Sequence, residues 1–235
     1  MEPSIRRIFA EIPHTYEIVN HILTLGLDIL WRRNAVRMAV QVGGNRWVDV
    51  CSGTGETAAY LKRSAPSGTG VYAVDFVRPM LDRIRQKPGG DGVTPVLSDI
   101  KGLPFPDDTF DLVTISFATR NINLSESVLI HSFREFRRVL KPGGMFLNLE
   151  TSQPPSPLVR WLFHLYVRLF VRAVGRVISG STIAYAYLAA TIPRFYGAEE
   201  LTGILEEAGF VDVGFRRMTF GAVAAHIGWK RRENG

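Results

Sequence analysis

The densest run of residues able to do chemistry in this 235-residue chain is Asp49-Val50-Cys51-Ser52-Gly53-Thr54-Gly55. It falls where an apolar stretch, Trp47 to Cys51, gives way to an amphipathic one, Thr54 to Lys62, so two glycines and a hydroxyl stand between a strand and a helix start. Glycines there let the backbone pass close to a ligand, and the free N–H groups of a helix N-terminus favour a nucleotide. Asp75 closes the next apolar stretch twenty residues beyond Gly55, where a carboxylate can accept hydrogen bonds from both ribose hydroxyls. Ser98-Asp99-Ile100 and Ser116 end two later stretches, where a short side chain and free backbone groups suit an adenine edge. Together these residues outline an adenosine crevice. Each has a plainer reading: Asp49 caps the loop, Asp99 opens a turn, and Cys51, with no base beside it, is a small core residue. Glycine spacing alone also satisfies the fingerprint of dinucleotide enzymes, through Gly53-Thr54-Gly55-Glu56-Thr57-Ala58.

The elements that must bring these residues together alternate along the chain. Strand patterns at Trp47–Cys51, Val71–Asp75, Thr94–Leu97, Phe110–Ser116 and Met145–Leu149 are separated by helical patterns at Thr54–Lys62, Arg78–Gln86 and Ser125–Val139, with Lys141-Pro142-Gly143-Gly144 as a turn. Such βαβ alternation predicts an α/β Rossmann-like fold: a mostly parallel, seven-stranded sheet with helices on both faces. A helix at Glu199–Ala208, closed by Gly209, precedes two strand patterns, Val211–Thr219 and Ala222–Trp229, whose tight connection makes the last strand antiparallel. Residues 1–235 read as one domain: a helical cover over 1–44, a nucleotide-binding core over 45–150, an insertion over 151–195, and a closing helix and hairpin over 196–235. In the cover, Tyr16, Val19, Asn20 and Leu23 share one helical face, and a second helix spans Leu27 to Val40.

With 46% hydrophobic and 21% charged residues the composition is globular. The single cysteine, Cys51, excludes an internal disulfide and a cysteine metal site; no metal centre is expected. Met1 to Glu11 lacks the apolar core of a secretory leader, so a cytoplasmic location is expected. The net charge of +6 is carried mostly by Arg, which fits an anionic membrane surface as well as mere solubility. Within the insertion, Arg160, His164, Arg168, Arg172 and Arg176 recur every fourth residue, a slowly drifting stripe on an otherwise apolar helix. Residues 157–179 therefore suit peripheral contact with the inner face of the cell membrane, or an entrance for a lipid tail, as well as they suit a homodimer face or an ordinary packed helix. Their apolar runs fall short of the roughly 20 residues needed to span. His164 on that stripe reads as solvated. Cations interleaved with aliphatics, without a base-stacking platform, argue against nucleic acid.

Further motifs narrow the reading. Val48-Asp49-Val50 before Ser52-Gly53-Thr54-Gly55, Ala73-Val74-Asp75 with Pro79-Met80-Leu81, Leu103-Pro104-Phe105-Pro106-Asp107 and Phe110-Asp111-Leu112-Val113 resemble class I methyltransferases. Thr114-Ile115-Ser116-Phe117, Arg120-Asn121 and Arg138-Val139-Leu140-Lys141-Pro142-Gly143-Gly144 resemble, more narrowly, the menaquinone and ubiquinone biosynthesis C-methyltransferases, the UbiE and Coq5 group. Tyr16-Glu17-Ile18-Val19-Asn20, Leu30-Trp31-Arg32-Arg33, Ala184-Tyr185-Ala186-Tyr187-Leu188 with Thr191-Ile192, and Thr219 to Gly228 extend the resemblance over nearly the whole chain. Ser52 in place of glycine, and Glu17 and Glu56 in place of aspartates, depart from the family pattern. The resemblance implies S-adenosyl-L-methionine as cofactor, held by Thr54, Asp75, Asp99, Ile100 and Ser116 beside Asp49, Gly53 and Gly55 of the loop. It implies C-methylation of a polyprenylated quinol, with demethylmenaquinol first, then a ubiquinol precursor or another lipophilic molecule. An NAD-dependent oxidoreductase is more remote, since no Tyr-x-x-x-Lys pair stands beside the glycine loop.

Methyl transfer from a sulfonium is an in-line displacement that gains most from near-attack geometry. A ring carbon becomes nucleophilic when a neighbouring hydroxyl loses its proton, so a base or water and a cation are needed. Arg120, just after the fourth strand, is the candidate cation, with Asn121, Tyr185 and Tyr16 as further polar contacts. Arg is itself a poor proton acceptor, and the plainer readings pair Arg120 with an acidic residue to pin a loop and place Tyr16 and Trp31 in the core.

Overall fold

The strands with the most continuous apolar runs are those that end up in the middle of the sheet. In the computed structural model, which describes residues 16–171 and 188–232, β1 (Arg46–Val50), β2 (Gly70–Asp75), β3 (Val93–Leu97), β4 (Phe110–Ser116) and β5 (Leu140–Thr151) run parallel. The closing hairpin, β6 (Val211–Met218) and β7 (Val223–Trp229), completes a seven-stranded sheet in the order β3-β2-β1-β4-β5-β7-β6, with β7 antiparallel to both neighbours. Trp47, Val48 and Val50 of β1 and Leu112, Val113 and Ile115 of β4 are fully buried, as expected for strands covered on both faces.

Alternation of side chains sorts these strands into two cores. On one face Val48, Val50, Val113, Ile115 and Phe146 pack with Phe133 and Phe136 of α6 (Glu126–Val139) and Leu201 and Leu205 of α8 (Ala198–Glu207). Phe146 lies 5.6 Å from Phe133 and 5.0 Å from Phe210, ring centroid to centroid, and such pairs are each worth about 0.5–1.5 kcal/mol beyond area burial. On the other face Trp47, Leu112, Leu147 and Leu149 meet Ala35, Val36 and Ala39 of α2 (Leu27–Ala39) and Ala58 and Leu61 of α3 (Glu56–Ser64). The chain leaves β1 toward β2 and β3, then returns to β4 on the other side of β1. The resulting crevice at the carboxyl ends of β1 and β4 is where ligands bind in sheets of this kind.

Two expected elements differ in form. The helix read at Arg78–Gln86 is a short α4 (Arg78–Leu81) and a separate 3₁₀ turn, Ile84–Gln86; Lys87, restricted by Pro88 after it, is extended and ends the segment. The expected turn at Lys141–Gly144 is a bulge inside β5: Leu140 pairs with Phe110, and pairing resumes at Met145 with Leu112. Its backbone groups are satisfied from the far end of the chain, by bonds of 2.9 Å from Gly143 N to Lys230 O and 3.0 Å from Lys230 N to Gly144 O. The φ of 76° at Gly143 accounts for the glycine there.

A third, smaller core joins segments that flank the sheet in sequence. Val19 and Leu23 of α1 (Tyr16–Leu23) pack with Val167 and Val171 of the π-helical turn that follows α7 (Pro157–Tyr166). Tyr166 donates its hydroxyl hydrogen to Leu23 O across the same junction. The Tyr16 side chain, Tyr185, Arg172 and Arg176 lie outside the described residues. No helix among the described residues is long and apolar enough to cross a membrane.

Candidate active site

The glycine loop is shaped by backbone angles that few residues accept. Cys51, Gly53 and Gly55 have φ of 51°, 55° and 80°. A Cβ on Gly55 would sit 2.5 Å from Ile84, so glycine is required there both for its conformation and for space. Ser52 N donates to Val74 O at 3.0 Å, tying the loop to β2. Asp75 completes the tie: its Oδ2 accepts from Gly53 N at 2.8 Å and its Oδ1 from Val77 N at 2.9 Å. Burial pushes the Asp75 carboxyl above its usual range, against these two backbone donors. Asp49 is also buried and accepts from Thr114 Oγ1 at 2.6 Å. Burial outweighs that bond and Arg32, and lifts Asp49 to about 7.

Asp49, Cys51, Ser52, Gly53, Thr54, Asp75, Ser116 and Asn121 line one cleft at the switch point. Ser52 Oγ, Ser116 Oγ and Asn121 Oδ1 are buried without a hydrogen-bond partner. Three such atoms around one cleft, beside two buried carboxylates, fit a cofactor rich in hydroxyl, amino and carboxylate groups, because buried polar groups without partners are costly. Gly55 lies behind the cleft as the N-cap of α3. Asp99 and Ile100, placed at the cofactor by the sequence, do not line this cleft. Ile100 is buried in the first core, and Asp99 is exposed, its Oδ1 accepting from Lys101 N at 3.1 Å.

Adjacent residues of α5 (Thr119–Ile122) diverge, since neighbours on a helix point about 100° apart. Asn121 lines the cleft; Arg120 lines a second cavity of about 260 Å³. Arg120 is buried, with Nη1 3.1 Å from Glu150 Oε1 and 3.0 Å from Thr151 Oγ1, and its backbone N donates to Glu150 Oε2 at 3.1 Å. The pinning role and the place on a cavity wall are thus both realised. This cavity lies under the third core, between α1, α2 and the turn after α7, with Leu23, Leu27, Trp31, Phe163, Tyr166 and Val167 among its walls.

Two residues without an assigned role in the sequence join the two spaces, and a third lines the cavity. Arg32 and Phe117 line both cleft and cavity, with the guanidinium 4.9 Å from the Phe117 ring centroid. Arg32 Nη1 donates to Thr57 Oγ1 at 2.8 Å, and its Nε lies 3.5 Å from Glu56 Oε2. Asp28, buried, adds a carboxylate to the cavity wall. The Leu30-Trp31-Arg32-Arg33 run marks this helix in the sequence; nothing local says that Arg32 rather than Arg33 turns inward. A polar cleft and an apolar cavity sharing a wall allow a group held in one to meet an acceptor held in the other.

A family model described as the ubiE/COQ5 methyltransferase family matches residues 1–230. The chain is 35% identical over 228 residues to the ubiquinone/menaquinone biosynthesis C-methyltransferase UbiE of Desulfotalea psychrophila, covering 97% of this chain and 91% of that protein. It is 36% identical over 232 residues to a demethylmenaquinone methyltransferase of Staphylococcus aureus, covering 98% and 94%. In fold it is similar to a SAM dependent methyltransferase from Aquifex aeolicus, with a TM-score of 0.57 and 18% identity over 84% of this chain and 89% of that one. The glycine spacing shared with dinucleotide enzymes is thereby resolved in favour of methyl transfer. Because the family match runs through the loop, the cleft, the cavity walls and the closing hairpin, the chain belongs to the ubiE/COQ5 methyltransferase family and uses S-adenosylmethionine as its cofactor.

Proposed function

We propose that this enzyme methylates a ring carbon of a lipophilic quinol, with demethylmenaquinol as first substrate and a demethylated benzoquinol as second. The observation that carries the reading is the cavity of about 260 Å³, walled mainly by Leu, Val, Phe and Trp side chains and sharing Arg32 and Phe117 with the cofactor cleft. Bound in the cleft, S-adenosylmethionine supplies an electrophilic methyl carbon. The chain supplies position and charge. Asp75 would accept from the cofactor's ribose hydroxyls, Ser116 and Asn121 would offer it polar atoms, and apolar walls would exclude water and align the ring. Arg120, fixed by Glu150 and Thr151, sets a positive charge where a quinol oxygen gains negative charge.

The surface beside the cavity supports a membrane-dissolved acceptor. Leu158, Trp161 and Leu162 of α7 and Leu169 and Phe170 beyond it are each half or more exposed, as is Leu25 on the cavity wall. Arg160 and His164 turn back instead, to Pro154 O and Gln153 Oε1. An outward apolar face next to an apolar cavity suits peripheral contact with a lipid surface through residues 157–171.

The test is methyl transfer from isotopically labelled S-adenosylmethionine to reduced demethylmenaquinone and to a reduced demethylated benzoquinone. Label in a ring methyl group of either supports the reading and gives the ring preference. No label in either, with S-adenosylhomocysteine still bound, overturns it.

A further inference from the structure

Replacing a ring hydrogen by a methyl group carried on a sulfonium leaves a neutral thioether and one proton, and that proton needs an acceptor. Arg120 cannot serve, because a guanidinium stays protonated. Asp49, Asp75 and Glu56 line the cofactor cleft, and Glu150 is held behind Arg120. Among the described residues that line the apolar cavity, Asp28 is the carboxylate.

Its surroundings form a path outward. Asp28 Oδ2 lies 2.8 Å from His21 Nδ1, and Oδ1 accepts from Thr24 Oγ1 at 2.6 Å. The other face of the ring, His21 Nε2, is 3.5 Å from Glu56 Oε1, and the His21 side chain is 31% exposed. A buried carboxylate on the cavity thus backs onto an imidazole that reaches solvent and stands between two carboxylates. Arg32 Nε, 3.5 Å from Glu56 Oε2, is the neighbouring fixed positive charge. Carboxylate–imidazole pairs are a recurrent means of taking and releasing protons.

Resting on the quinol reading above, we infer that Asp28 and His21 form the proton acceptor of the reaction. The quinol O–H bond breaks, its electron pair stays on oxygen and activates the ring carbon, and the proton passes to the Asp28 carboxylate. At rest His21 donates from Nδ1 to the Asp28 carboxylate; once Asp28 is protonated, the ring exchanges through solvent to the Nε2–H tautomer, Nδ1 takes the proton, and the imidazolium releases one from Nε2 to solvent beside Glu56, which restores the resting pair. The ring carbon bonds the methyl group as the methyl–sulfur bond breaks; its C–H bond then breaks, the electron pair returns to the ring and that proton goes to the quinol oxygen, so one net proton, the one taken by Asp28, leaves per methyl group added. Asp28 touches the substrate and is the catalytic residue; His21 acts through it.

A chlorinated or nitrated naphthol, whose ionised and neutral forms absorb differently, reads the transfer without turnover. In the wild-type protein with S-adenosylhomocysteine bound, the naphthol should bind ionised near neutral pH, and ¹⁵N-histidine NMR should show one ring becoming imidazolium. In Asp28→Asn the naphthol should bind neutral. In His21→Gln, whose partly exposed site tolerates replacement, the ionisation midpoint should shift by about one pH unit or more. Turnover should fall by about 100-fold or more in Asp28→Asn with little change in KM, and the loss should shrink for more acidic quinols. Equal ionisation of bound naphthol in wild type and Asp28→Asn overturns the assignment, as would loss of the signal with chelator and its return with a divalent cation. No naphthol binding to either protein overturns the quinol reading itself.

Discussion

Asp49 and Arg120 pay opposite electrostatic costs. A carboxyl lifted to about 7 is roughly half protonated at neutral pH before the cofactor binds. A cofactor that brings positive charge into the cleft ionises it, so binding should release about half a proton per site at pH 7. Calorimetry in buffers of different ionisation enthalpy measures that release, and affinity for S-adenosylmethionine should be about tenfold tighter at pH 8 than at pH 6. Asp49→Asn should abolish the release and flatten the profile. Arg120 is the buried partner of Glu150, so Arg120→Ala strands a buried carboxylate and should cost about 3–5 kcal/mol in urea unfolding. Adding Glu150→Gln should recover part of that loss, and activity measured on Arg120→Ala alone mixes chemistry with stability. That Asp49, Gly53, Thr54, Asp75 and Ser116 meet in one cleft was legible in the sequence because strand ends in a βαβ array converge of necessity; Asn121, expected beside the quinol, lines the cofactor cleft instead. Asp28, Arg32 and Phe117 were not legible, because their roles depend on how α2 lies across the sheet.

His226 shows how the inside of an element titrates. It lies buried on β7, its Nε2 2.9 Å from Ala198 O at the start of α8 and its Nδ1 without a partner. Burial drives it down to about 4, against the pull of that carbonyl. The unfolded chain takes a proton near pH 6.5 that the folded chain refuses, so this contribution is intact above that pH and is lost as pH falls toward 4, by about 3 kcal/mol in all. Unfolding free energies of His226→Gln should depend less steeply on pH over that window than those of wild type. For α7, Leu158→Glu with Trp161→Glu should weaken co-sedimentation with anionic vesicles by about tenfold or more, since each apolar side chain contributes about 1.5–3 kcal/mol when buried in lipid. Unchanged sedimentation would remove the lipid contact. The parallel sheet, the antiparallel hairpin and most helix spans were readable from apolar periodicity and glycine punctuation. The bulge at Lys141–Gly144 was not, because the backbone of Gly143 and Gly144 is satisfied by Lys230, 86 and 87 positions away and invisible to a local pattern. Nor did a stripe at every fourth residue reveal that Arg160 and His164 would bond back to the chain and leave the apolar side outward.

At the scale of the whole molecule the two large cores and the small third one differ in kind. The sheet cores interlock many fully buried side chains; the roof over the acceptor cavity rests on Val19, Leu23, Val167 and Val171 and the partly buried groups around them. Regions with few buried apolar contacts open at lower free energy than the global unfolding reaction. Amide exchange at Val19, Leu23 and Val167 should therefore run orders of magnitude faster than at Val48 and Phe146, and a bound quinone analogue should slow the first group alone. Uniform exchange across all five would remove the distinction. The bond from Tyr166 to Leu23 O joins residues 143 positions apart, with β1 to β5 between them in sequence. A roof so lightly held should give way on warming well before the sheet does, so warming should quicken quinone capture before it loosens the grip on the cofactor.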